Sequence, residues 1–257
     1  MAQFDRSATG QWAQPGVRSG ALADQGLRAY MLGVYNHMTL GLALTGLVAF
    51  ATYFFSVDQN ATRITVDSMT PFGQFLFLSP FKWVLIFAPL GLSMLLNAGI
   101  ERMSASSARV AFLAFAAAMG MSLAIILMVY THTSVARVFF MTSAAFAGLS
   151  LFGYTTKRDL SGMGTFLIMG VWGMIAASVV NVFLGSTGMQ WIISLIGVPV
   201  FAGLTVYGTQ MVKEMYFQAN AQGNEAVAKS SIIGALFLYI TFLNLFQTLL
   251  SLFGSRD

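Results

Sequence analysis

Residues 231–253 read SIIGALFLYITFLNLFQTLLSLF, and the architecture can be worked out from this stretch. It holds no charged side chain, and at ~1.5 Å rise per residue a helix of this length crosses a hydrocarbon core of about 30 Å. Thr241, Asn244, Gln247 and Thr248 recur at spacings of three and four, which places them on one helical face. An amide or hydroxyl aimed at lipid tails goes unpaired, so such a face calls for protein around it. The reading is a membrane-crossing helix at the centre of a bundle, with the rest of the chain packed about it.

Composition sets the class. The 257 residues are 57% hydrophobic and 9% charged, against roughly 25% charged in a soluble domain. The apolar residues fall in long blocks, which argues for one membrane domain over residues 30–257. Residues 1–29 are polar, carry Arg6, Arg18 and Arg28, and lack the apolar core of a signal peptide; they read as a flexible tail that stays attached. The first span runs from about Gly33 to Phe55. The longest connection follows, and its apolar piece Phe72 to Leu78 is too short to cross, so it lies on the membrane surface or re-enters it.

Six more charge-free runs come at short intervals: Trp83 to Ile100, Val110 to Tyr130, Val138 to Gly153, Met163 to Leu184, Trp191 to Met211 and Ser231 to Phe253. The expectation is an all-α membrane protein of seven transmembrane helices. The fourth run reaches crossing length only by borrowing Tyr154 to Thr156. Short connections predict antiparallel packing of sequential helices. Close pairs such as Ala116 with Gly120, Ala144 with Gly148, Gly170 with Gly173, and Gly197 near Ala202 and Gly203 predict close backbone approach inside a compact bundle.

With the amino terminus cytoplasmic, Arg6, Arg18, Arg28, Arg102, Arg109, Lys157, Arg158, Lys213 and Lys229 lie inside, and Arg63, Lys82, Arg137 and Arg256 lie outside. That division follows the positive-inside rule and puts the carboxyl terminus on the far side, periplasmic in a bacterium. Trp83 and Trp191 then sit at the outer interface, where an indole is favoured. Trp172, in the middle of the fifth span, reads as a packing residue.

The charge-free interior excludes several activities. No span carries the lysine and acidic counter-ion of a retinal protein, nor the paired carboxylates of an aspartyl intramembrane protease. There is no cysteine for a thiolate nucleophile or metal site. No basic cluster is interleaved with aromatics, so nucleic-acid binding has no support. The only histidines, His37 and His132, lie too far apart in depth to share a metal. His37 reads as an imidazole bonded to a carbonyl or a neighbouring helix, with a proton relay as the alternative; His132 reads as a solvated loop residue. Glu101 and Arg102 read as an interfacial pair. Asn97, Asn181, Gln210, Asn244 and Gln247 are candidates either for interhelical hydrogen bonds or for lining a polar path. A hard cation on that path would find no carboxylate in any span. No cofactor is implied.

Three strings carry a resemblance: YTTKRDLSGMG at 154–164, GLTVYGTQ at 203–210 and GALFLYITFLNLF at 234–246. With them the chain resembles the bacterial branch of the Bax inhibitor family from about Arg28 onward. The resemblance implies a seven-span bundle whose last helix is wrapped by the other six. It also implies a calcium leak across the membrane or, in some bacteria, restraint of a membrane-anchored quality-control protease. It places a pH-sensing aspartate pair at two positions that here are Gly208 and Thr241. Neither residue titrates, so gating by such a pair is excluded. Loss of both acids avoids leaving one buried and unpaired. Two functions follow. One is non-catalytic binding of another inner-membrane complex, a protease or an energy-converting assembly. The other is a cation leak, calcium included, that lacks the usual gate.

Overall fold

The computed structural model describes residues 15–58, 65 and 68–256, with side chains from Gln25 onward. Eight helices follow in order: α1 (Pro15–Ser56), α2 (Pro71–Phe77), α3 (Lys82–Gly99), α4 (Ala105–Val129), α5 (His132–Thr155), α6 (Ser161–Leu184), α7 (Thr187–Asn220) and α8 (Asn224–Phe253). All except α2 are long and apolar enough to cross a membrane, seven spans in all. Local chemistry fixes several boundaries. Thr70, Ser104, Thr131 and Ser186 each accept a backbone N–H from the first turn of the helix they precede, the usual use of a short hydroxyl side chain at a helix start. Gly185 closes α6 in the left-handed conformation, φ 59°, where a side chain would be strained.

α8 is the centre. In its apolar stretch 61% of residues are buried, against 11% in α6, and Ile232, Ala235, Leu238, Tyr239 and Leu245 are closed to solvent on several sides of the helix. It packs mainly on α7, then on α1, α5 and α4, with α3 touching its edge. The wrapping is not by all six spans, because α6 packs on α7 instead. Nor do all sequential helices pair: α5 leans on α7 and α8 and not on α6. Gly153 explains the preference, since a Cβ there would lie 2.5 Å from the Val206 carbonyl oxygen; the missing side chain lets α5 sit directly on the α7 backbone.

The ends of the helices differ from expectation. Residues 15–29 are helical, and Leu27 is buried while Gly26 and Tyr30 lie against Tyr216. The expected tail therefore shrinks at its carboxyl end, and residues 1–14 lie outside the described residues. The cause is α7, which continues past Met211 to Asn220 and buries Val212, Tyr216 and Ala219, giving α1 an apolar surface to extend along. α5 gains its crossing length at both ends. His132 is the first residue of α5, still exposed, with its ring edge-on to Tyr53 at 5.0 Å. α2 is too short to cross; it buries Gly73 and Leu76 and packs beside α1.

The small-residue pairs divide. Gly120 meets the Thr45 backbone, Gly197 meets Thr248 and Gly203 meets Leu167, so these positions do bring helices together. Ala144, Gly148 and Gly173 are exposed, and a Cβ at either glycine would meet nothing. Trp172 is likewise not packed: it is 68% exposed. Glu101 and Arg102 form no ion pair among the described residues; the Glu101 carbonyl instead accepts from Lys229, which pairs with Glu225.

Candidate functional site

The three strings that carry the family resemblance are far apart in sequence and meet in space at one end of the bundle. Their junction is the run Tyr207-Gly208-Thr209-Gln210 of α7, whose residues touch four different partners. Tyr207 lies over Gly164 of α6, where a Cβ would come within 2.4 Å of the ring. Gly208 lies under Phe237 of α8, where a Cβ would be 2.2 Å from the ring edge. Thr209 donates to the Thr205 carbonyl and accepts from Ser150 of α5, which accepts in turn from Tyr35 of α1, at 2.8, 2.9 and 2.6 Å. Gln210 accepts from the Leu160 N–H at 3.1 Å and donates to the Arg158 carbonyl at 2.8 Å, which clamps the α5–α6 connection. In the same connection, hydrogen bonds from the Ser161 hydroxyl and then its N–H hold the exposed Asp159 carboxyl below its ordinary pKa.

A second polar centre lies in the core. Tyr239 donates to Thr45, which donates to the Ala116 carbonyl, at 2.6 and 2.9 Å, tying α8 to α1 and α4. Phe112 and Phe115 stand edge-on to the Tyr239 ring. Every polar atom in this cluster has a partner, as a water-free interior requires. Sequence reasoning did not single out Tyr35, Ser150, Thr45 or Tyr239. Tyr35 and Thr45 lie in α1, Ser150 in α5 and Tyr239 in α8, and no spacing rule links residues on different helices.

The sequence-nominated amides do something else. Asn244 donates to the Ile240 carbonyl, Thr241 to that of Phe237, and Asn97 to that of Ser93, each one turn back on its own helix, at 2.8, 2.9 and 2.8 Å. Asn181 accepts the Ser186 N–H in the α6–α7 turn. Gln247 is exposed and Asn244 half-buried. The expectation that the polar face of α8 is fully enclosed is thus corrected at Gln247, which is exposed, whereas Thr241 is buried and Thr248 packs against Gly197 of α7. Back-bonding to the preceding turn gives the Thr241 hydroxyl and one amide N–H each of Asn244 and Asn97 a partner on their own helix. His37 agrees with its simpler reading: Nδ1 donates to the Gly33 carbonyl at 2.7 Å and Nε2 accepts from Arg109 of α4 at 3.1 Å. These nominated residues are scattered over the bundle and do not form one path. Among the described residues no cluster of three or more His, Asp or Glu could hold a metal.

α1 and α5 are joined at two places, Tyr35 to Ser150 and Tyr53 to His132, and beside them runs a lateral groove that extends from Arg28 and Tyr154, past the Tyr35–Ser150 bridge, to His132, floored by Phe242 and Phe246 of α8 and Ile126 of α4.

Residues 27–257 match the family described as "Inhibitor of apoptosis-promoting Bax1". The chain belongs to the Bax inhibitor family. Among bacterial relatives, an uncharacterized protein of Rickettsia prowazekii is 43% identical over 234 residues, covering 91% of this chain and 92% of its own length. One from Caulobacter vibrioides is 40% identical over 242 residues, 94% of each chain. Inner membrane protein YbhL of Escherichia coli is 41% identical over 232 residues, 90% of this chain and 93% of its own. The relationship to YbhL and the seven apolar helices support a multi-pass inner-membrane protein. Within this Bax inhibitor chain, Gly208 and Thr241 are joined through Phe237. Its ring covers the glycine and its carbonyl takes the threonine hydroxyl.

Proposed function

We propose that this Bax inhibitor family protein acts without catalysis, by binding another inner-membrane protein complex along the outward face of α6. Its amino terminus is cytoplasmic and its carboxyl terminus periplasmic. The observation that carries this reading is Trp172. It lies midway along α6 and is 68% exposed, too far from either helix end for an interfacial anchor. An indole N–H left among lipid tails has no acceptor, which costs on the order of 1–3 kcal/mol; a partner helix can supply one. Beside it Gly173 and Ala176 are exposed, so a second backbone can approach closely. α6 packs mainly on α7, and Phe166, Met169, Val179 and Phe183 are exposed along the rest of its surface.

The other function read from the sequence, a cation leak, gains less support. The space over Gly208, one of the two positions the family resemblance assigns to the pH-sensing pair, is filled by the Phe237 ring. Affinity purification in mild detergent tests the proposal. Wild type should retain a membrane protein, such as a protease or an energy-converting assembly, and Trp172→Ala should lose most of it. No co-purifying membrane protein, together with unchanged complexes in a deletion strain, would refute it.

A further inference from the structure

We propose that the groove between α1 and α5 is a binding site for one anionic phospholipid, its acyl chains lying in the groove and its phosphate meeting Arg28. This inference concerns a different surface from the α6 face and stands independently of the partner reading.

The groove encloses about 1310 Å³. Its walls and floor are overwhelmingly apolar or small, with Leu42, Ala43, Ala147 and Leu151 facing across it above Phe242 and Phe246. Charge enters at one end only. Arg28 is the one permanently charged side chain among the described lining residues, and it is exposed. Among the described lining residues there is no carboxylate. Lys213 stands at the same end, donating to the Tyr154 carbonyl at 3.1 Å and lying 5.6 Å from the centre of the Tyr154 ring, itself part of the lining. The opposite end finishes at His132 against Tyr53. Apolar length with a cation at one mouth complements an amphiphile carrying a single negative head.

A transmembrane helix of another protein fits less well. A cylinder about 10 Å across and 30 Å long occupies on the order of 2400 Å³, more than the groove holds, and an apolar helix has no use for a charge at one mouth. Acyl chains are thinner and flexible, so from Arg28 they can follow the groove past the Tyr35–Ser150 bridge. A basic side chain at a membrane surface attracts an anionic headgroup by an amount equivalent to a preference of about fivefold.

The test uses the full-length protein, purified in mild detergent and stripped of lipid. It is titrated with phosphatidylglycerol and with phosphatidylcholine of the same chain length, and bound copies are counted by native mass spectrometry. Wild type should take up one phosphatidylglycerol with about a fivefold preference. Arg28→Gln should keep phosphatidylcholine binding and lose the preference. Ala147→Phe and Ala43→Phe, which fill the groove from opposite walls at exposed positions, should each lose both lipids while retaining wild-type helix content. The proposal is overturned if wild type binds the two lipids equally, if the preference survives in Arg28→Gln, or if both filled variants still bind lipid. It also fails if a photo-cross-linker at position 147 captures a protein segment in cells.

Discussion

Phe237 occupies the space above Gly208, and that contact can be tested by reversing the sign of one substitution. Alanine stabilises a helix by about 1 kcal/mol relative to glycine when its methyl group has room. At position 208 the methyl would lie 2.2 Å from Phe237 Cε1 and 2.8 Å from Cδ1, so the ring must move, and such overpacking costs about 1–3 kcal/mol. Gly208→Ala should therefore be neutral to destabilising by up to about 2 kcal/mol in wild type, the difference of those two effects. In a Phe237→Ala background the obstruction is gone, and the same substitution should stabilise by about 1 kcal/mol. The coupling energy in the double-mutant cycle is then about 1–3 kcal/mol. Equilibrium unfolding in mixed micelles, followed by helical circular dichroism, measures all four proteins. Equal stabilisation by Gly208→Ala in both backgrounds would refute the packing argument.

The same contact bears on restoring titratable groups. Gly208→Asp with Thr241→Asp should give no pH-dependent cation flux in reconstituted vesicles while Phe237 remains, whereas adding Phe237→Ala should permit it; flux in the first variant would show that the ring is no obstacle. In the buried Tyr239–Thr45–Ala116 chain, Tyr239→Phe leaves Thr45 its carbonyl partner and should cost about 1 kcal/mol. Thr45→Val strands the tyrosine hydroxyl and should cost about 1–3 kcal/mol, an order that unfolding measurements can check. Asp159 has a lowered folded-state pKa, so its capping contribution is present above the ordinary carboxylate value of about 3.9 and is lost as pH falls through the lowered value. Amide exchange at Ser161, corrected for intrinsic pH dependence, should rise at acidic pH below about 4. Asp159→Asn should flatten that added acid response.

The spans are legible along the chain, because a bilayer imposes a length and a composition that can be counted residue by residue. The central position of Ser231 to Phe253 is read instead from its row of polar side chains, and α8 is central although Gln247 of that row is exposed. What its polar face does was not legible. An asparagine spaced three residues from a threonine is equally compatible with a bond across helices and with one to its own preceding turn, and Asn244 takes the second. Which hydroxyls meet, that Trp172 faces outward, and that Phe237 fills the volume above Gly208 emerge only when the helices are packed together. Each of these depends on the rotation of one helix about its axis relative to another. That rotation is set by the summed close packing of many side chains, whereas crossing length is set by the membrane alone.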